Sequence, residues 1–94
     1  MIVRILGEGQ WELDDAHGDV LNSLDAGLEA AVEGGDEMAF RSALTDLLTK
    51  VRALGEPVPD DSLQPSDAVL PSADASIDDV RALLVESDEG LIPG

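Results

Sequence analysis

The chain has 94 residues and no cysteine, and 21 acidic residues against 5 basic ones leave a net charge of −16. A chain of this size buries roughly 60–70% of its unfolded surface, enough for one small core and too little for a large enclosed active site. The missing cysteines exclude disulfides and thiolate chemistry, and the acid excess disfavours nucleic acid and anionic lipid, whose phosphates need Lys and Arg.

A basic protein partner fits this charge, as does the solubility demanded of a salt-adapted proteome; Lys50 is the single lysine. No apolar run approaches the ~20 residues of a membrane span, so direct membrane insertion is not expected. Met1-Ile2-Val3-Arg4-Ile5-Leu6 is interrupted by Gly7-Glu8-Gly9 too soon to be a signal peptide. The expectation is a soluble, cytoplasmic protein.

In chain order, residues 2–6 are β-branched and apolar, Gly7-Glu8-Gly9 is turn chemistry, and Gln10-Trp11-Glu12-Leu13 alternates polar and apolar. This predicts a β-hairpin over 2–13, with Trp11 and Leu13 on the face that packs on helices. A two-stranded ribbon is marginal alone, so it must lean on something.

Residues 15–54 read as a helical hairpin. Asp14 or Asp15 caps the first helix, and Leu21, Leu24, Leu28 and Ala31 follow one face, widened by Val20 and Val32. Gly18 and Gly27 weaken it by up to ~1 kcal/mol each relative to alanine. Gly27 either admits a close partner helix or sits on the outside. At Glu33-Gly34-Gly35-Asp36 the glycines end the first helix in the left-handed cap conformation, and Asp36 caps the second. So short a link makes the helices antiparallel neighbours. Phe40, Leu44, Leu47, Val51 and Leu54 recur at spacings of 4, 3, 4 and 3, flanked by Ala43 and Leu48, until Gly55, Pro57 and Pro59 end the pattern. Residues 15–33 carry five acids and no base, whereas 34–54 carry three of each. Antiparallel packing is expected to bring Lys50 and Arg52 near Asp15 and Asp19.

Residues 55–75 are rich in Pro, Ser and Asp, yet Leu63, Val69 and Leu70 are placed like anchors. They predict an ordered segment crossing the core, with a short strand at 67–70. Ser76-Ile77-Asp78-Asp79 resembles a capping box and opens a C-terminal helix over 76–86, with Ile77, Val80, Leu83 and Leu84 buried. A tail, 87–94, closes the chain with Leu91 and Ile92 between breakers. The fold class is therefore α+β, in a single domain over 1–94.

No catalytic set emerges. His17 is the only histidine, and one His beside Asp14 and Asp15 falls short of the three or four ligands of a metal site. Asp60-Asp61 and Asp78-Asp79 lack the spacing of a calcium loop. Ser66-Asp67 and Ser76 have no base other than His17. Gly7-Glu8-Gly9 lacks the Lys and the following helix of a phosphate loop. No cofactor or metal is expected, and a metal-dependent carboxylate enzyme is the weakest of the readings the sequence allows.

Several short pieces fall in order along the chain. They are Met1-Ile2-Val3-Arg4-Ile5 with Gly7-Glu8-Gly9-Gln10, Glu33-Gly34-Gly35-Asp36-Glu37 with Phe40, and Pro59-Asp60-Asp61 with Leu63. Then come Pro65-Ser66-Asp67, Leu70-Pro71, Asp74-Ala75-Ser76 with Asp79-Val80-Arg81, and Glu89-Gly90-Leu91-Ile92-Pro93. In these the chain resembles the PspA-associated domain family, small partners of the phage-shock protein A (PspA/IM30) system. The resemblance implies association with a PspA-type protein that binds membranes and responds to envelope stress. It also implies a cytoplasmic location, membrane-peripheral only through that partner, and no known catalysis. Gly18 and Gly27 depart from the expected helix formers and bear on the rigidity of the first helix.

The leading expectation is thus a non-catalytic adaptor or regulator acting through protein–protein binding. The alternative is a structural, self-associating domain that uses the β-hairpin edge or the leucine seam, giving a homo-oligomer. Helical packing does not explain the residues of the crossing segment and the tail. Asp60, Asp61, Leu63, Pro65, Ser66, Asp67, Gly90, Leu91 and Ile92 are therefore the expected partner-binding residues. The competing reading is that Leu63, Leu91 and Ile92 plug the ends of the helical hairpin.

Overall fold

The alternation at the N-terminus produces two strands, β1 (Ile2–Ile5) and β2 (Gly9–Glu12), paired antiparallel from Ile2–Glu12 to Ile5–Gly9. The turn between them is closed by the Glu8 N–H donating to the Ile5 carbonyl at 3.0 Å. Gly7 sits there at φ +84°, a value that the third position of a type II turn requires and glycine adopts without strain. The computed structural model describes residues 1–59 and 64–86. Within them the order continues with a 3-10 turn (Asp15–His17), α1 (Gly18–Gly34), α2 (Glu37–Leu54), β3 (Glu56–Pro57), β4 (Ala68–Leu70) and α3 (Ile77–Glu86).

The hairpin does not lean on the helices as a two-stranded ribbon. It is the middle of a four-stranded sheet in the order β3-β2-β1-β4. β3 pairs antiparallel with β2, Trp11 opposite Pro57, and β4 pairs parallel with β1, Val3 opposite Ala68 and Ile5 opposite Leu70. The predicted strand at 67–70 thus begins at Ala68, and β3 is an addition that Pro57 hides in the sequence, since proline suits only an edge. Both edges of the hairpin are thus occupied by strands of the same chain.

One face of the sheet and both long helices share a single core. Val3, Ile5 and Leu70 join Leu21, Leu28, Phe40, Leu44, Leu47, Leu48 and Val51 in one buried cluster. Trp11, half-buried, packs on that cluster together with buried Leu13, as expected. The leucine seams are mostly consumed between α1, α2 and the sheet, while Leu24 and Leu54 stay half-buried. α3 lies against α1 with Ile77 and Val80 buried and Leu83 half-buried, while the side chain of Leu84 and the whole tail 87–94 lie outside the described residues.

The helix ends follow the sequence closely. Gly35 alone takes the left-handed conformation, at φ +68°, and Gly34 is the last helical residue. The Gly35 N–H donates to the Val32 carbonyl and the Asp36 N–H to the Ala31 carbonyl, both at 3.2 Å, the two-bond Schellman closure of a helix C-terminus. The Asp36 carboxylate then accepts from the Ala39 N–H at 3.1 Å and opens α2. At α3 the Ser76 N–H donates to the Asp79 carboxylate at 3.0 Å and the Asp79 N–H to the Ser76 hydroxyl at 3.2 Å, a reciprocal capping box. Asp14 caps only the 3-10 turn, through the Ala16 N–H, and α1 proper starts after His17 with no side-chain cap.

Two packing expectations need correction, and the open question of Gly27 is resolved. Val20 is 45% exposed, because it lies about 100° round the helix from Leu21. Its expected place is taken on the other flank, where Asp25 lines up with Leu21, Leu28 and Val32 and is 3% exposed. Lys50 and Arg52 do not meet Asp15 and Asp19. The last turn of α2 is drawn against β2, so the Arg52 guanidinium reaches back to Glu8 in the hairpin turn, its Nε donating at 2.9 Å and its Nη2 completing a two-pronged pair. Asp15 lies 3.4 Å from the N-terminal ammonium, and Lys50 forms no ion pair among the described residues. Gly27 faces outward, with nothing within 4 Å of an added Cβ.

Gly55 is where glycine is needed, for space rather than for φ. A Cβ there would stand 2.8 Å from the Val51 carbonyl oxygen, 3.0 Å from Trp11 Cβ and 3.2 Å from Leu13 Cδ1. Gly55→Ala is therefore expected to destabilise the fold by about 1–3 kcal/mol, the scale of overpacking a filled site. Gly27→Ala, on the open side of α1, is expected to stabilise it by about 0.5–1 kcal/mol. Urea denaturation of the two variants checks both signs.

Candidate protein-interaction surface

The crossing segment is held to the hairpin by two polar side chains, Gln10 and Asp67. In β2, Gln10 occupies an outward position opposite Arg4. Its side-chain amide donates to the Gln64 carbonyl and to the Ser66 hydroxyl, both at 2.8 Å. Its own carbonyl accepts from the Val58 N–H at 2.9 Å. Residue 10 thus grips the chain on both sides of 60–63. One residue beyond Ser66, the Ile2 N–H donates to the Asp67 carboxylate and the Asp67 N–H returns a bond to the Ile2 carbonyl, each at 2.8 Å.

This defines where the expected binding residues lie. Ser66 is half-buried and Asp67 exposed, and the side chains of both take part in the anchoring, while Pro65 is exposed beside them. Asp60, Asp61, Leu63, Gly90, Leu91 and Ile92 lie outside the described residues. Ser66 and Asp67 therefore have intramolecular work to do. Gln10, which sequence reasoning passed over, is the residue that positions them; its only signal was a hydrogen-bonding side chain on the outward side of a strand.

The electrostatics of the surface are set by how the few cations are used. Arg52 is bound to Glu8. The Arg81 Nη2 donates to the Val32 carbonyl at 3.1 Å, satisfying a carbonyl of the α1 C-terminus where a cation is favoured. The Arg41 Nη1 donates to the Ala73 carbonyl at 3.3 Å. Three of the five basic side chains are thus tied to the protein itself, and most acids among the described residues have no cation beside them.

On α1 the acids form a ladder. Asp25, Glu29 and Glu33 stand one turn apart, where like charges repel. Burial lifts the Glu29 carboxyl above the usual carboxylate range, and the charges of Asp25 and Glu33 lift it further. Asp74 is displaced the other way, chiefly by the Ser72 hydroxyl that donates to it at 2.8 Å. On the sheet, Glu12 and Glu56 stand directly opposite each other, an unfavourable cross-strand pair, and with Asp14 they border an acidic groove floored by Leu13 and Leu54. Among the described residues no three His, Asp or Glu side chains are arranged to hold a metal ion. His17 ends the 3-10 turn, its N–H donating to the Asp14 carbonyl. The arrangement offers an extended acidic field on a rigid scaffold. No described helix is long and apolar enough to cross a membrane.

The sequence model of a family described as PspA-Associated protein matches residues 1–94, the whole chain. No curated protein and no solved structure matches it.

The ladder predicts a pH-dependent stability difference. The folded state raises the Glu29 pKa, so the charged carboxylate costs stability at neutral pH, and the cost disappears as pH falls through the raised value. Glu29→Gln is expected to be more stable than the wild type at neutral pH, with the gain shrinking to nothing under acid conditions. Denaturation at the two pH values tests this; an equal gain at both, or a loss at neutral pH, contradicts it.

Proposed function

Because the chain belongs to the PspA-associated protein family, we propose that it is a non-catalytic adaptor or regulator that binds a PspA-type protein in the membrane-stress response. The observation that carries this reading is the family match over residues 1–94. The family description names an association and no reaction.

The electrostatics support it. PspA-type proteins are long, helical, partly basic membrane-bound polymers, and a net charge of −16 gives this chain a field of the complementary sign. Internal use of Arg41, Arg52 and Arg81 leaves that field largely unbalanced at the surface. The same field repels anionic lipid, so membrane proximity comes through the partner and the protein itself is cytoplasmic.

Titration against the cognate PspA-type protein tests the proposal. Binding is expected at low salt, with affinity falling at least tenfold as salt rises from about 0.05 to 0.5 M and screening shortens the reach of the field. No binding at low salt, where attraction is strongest, overturns it.

A further inference from the structure

The charge on α1 is confined to part of its circumference. Val20, Leu24 and Gly27, spaced 4 and 3 apart, share an uncharged stripe on the flank opposite Asp25 and Glu29, with Val20 and Gly27 exposed and Leu24 half-buried. Where this stripe meets α2 there is an open groove of about 330 Å³ lined by Leu24, Asp46, Thr49, Lys50 and Ala53. Leu24 is half-buried, and the four α2 residues are exposed. Asp46 and Lys50 cancel locally, and neither is in an ion pair among the described residues.

Two copies of a molecule with net charge −16 repel each other, and they do so least across a face whose own charge is zero. This groove is such a face. It is also self-complementary. Around a twofold axis passing beside α2 between residues 46 and 50, antiparallel copies set each Asp46 against the other copy's Lys50. Ala53 and Gly27, with nothing within 4 Å of an added Cβ on Gly27, leave room for close approach.

We propose that this groove is the contact of an isologous dimer, with the Asp46–Lys50 pair formed twice across the axis. It lies on the open flank of the α1 seam, at half-buried Leu24, and it does not depend on binding a PspA-type protein.

Sedimentation equilibrium of the full chain and three charge variants tests it, in salt of about 0.15 M and above, where the screening length is about 8 Å or less. The wild type is expected to dimerise more tightly as salt rises, the opposite trend to the hetero-association above. Asp46→Lys lowers the net negative charge, which favours any unspecific association, yet it opposes Lys50 with a lysine. The dimer is therefore expected to weaken at least tenfold, and Lys50→Asp to weaken it likewise. The double exchange, Asp46→Lys with Lys50→Asp, restores the pairing and the dimer. Both positions are exposed, and circular dichroism verifies that every variant is folded. A wild type that stays monomeric to about millimolar concentration, an Asp46→Lys variant as dimeric as the wild type, or a folded double variant that fails to recover would each overturn the proposal. Loss of affinity for a PspA-type protein in the single variants, with a monomeric wild type, gives the groove to that partner and equally overturns the second-copy assignment.

Discussion

Everything in this fold hangs on β1 being paired along both edges. Its antiparallel neighbour β2 comes from the adjacent turn, but its parallel neighbour β4 arrives from 65 residues away, fastened by the reciprocal bonds between Ile2 and Asp67. Such a closure carries a loop entropy cost that only burial can offset. The burial is there: Val3 and Ile5 on β1 and Leu70 on β4 are fully enclosed, in the same cluster as Phe40 and the helix leucines. A segment with the composition of a linker thereby becomes an edge of the sheet.

What the sequence made legible was local chemistry. Gly35 and Asp36 between the long helices and the Ser76–Asp79 box are read from a few neighbouring residues, and the structure forms each of them. What it did not make legible was non-local. β3 is two residues long and contains a proline, so no period-2 signal marks it. The parallel register of β4, the reach of Arg52 to Glu8, and the tight seat of Gly55 against Trp11 depend on how layers meet. Asp25 is the sharpest case. An acid in the core-facing line of a helix reads as a break in the apolar face, so the eye shifts the face toward Val20, which is exposed. Of the expected binding residues, Ser66 and Asp67 proved to be anchors, a role visible only once Gln10 and Ile2 were seen beside them.

The functional picture follows from an uneven use of charge. The chain has few cations and spends most of them holding its own parts together, at the hairpin turn, at the end of α1 and at the start of the crossing segment's last stretch. The remaining surface is a predominantly acidic field, suited to a basic macromolecular partner and unsuited to phosphate-rich ones. Membership of the PspA-associated protein family gives that field a direction. The flank of α1 along Val20, Leu24 and Gly27 is free of charge, and two acidic molecules would repel each other less across it than across the acidic faces.

Native-state hydrogen exchange at the ends of the crossing segment tests the central claim most directly. The amides of Val58, Asp67 and Leu6 each donate to a partner across the sheet. If residues 64–70 are an integral edge of the core, these amides exchange only with global unfolding, at rates matching the interior of α2. If they exchange freely while α1 and α2 stay protected, the sheet is only the hairpin, and the account of β1 as the doubly paired centre of the fold is wrong.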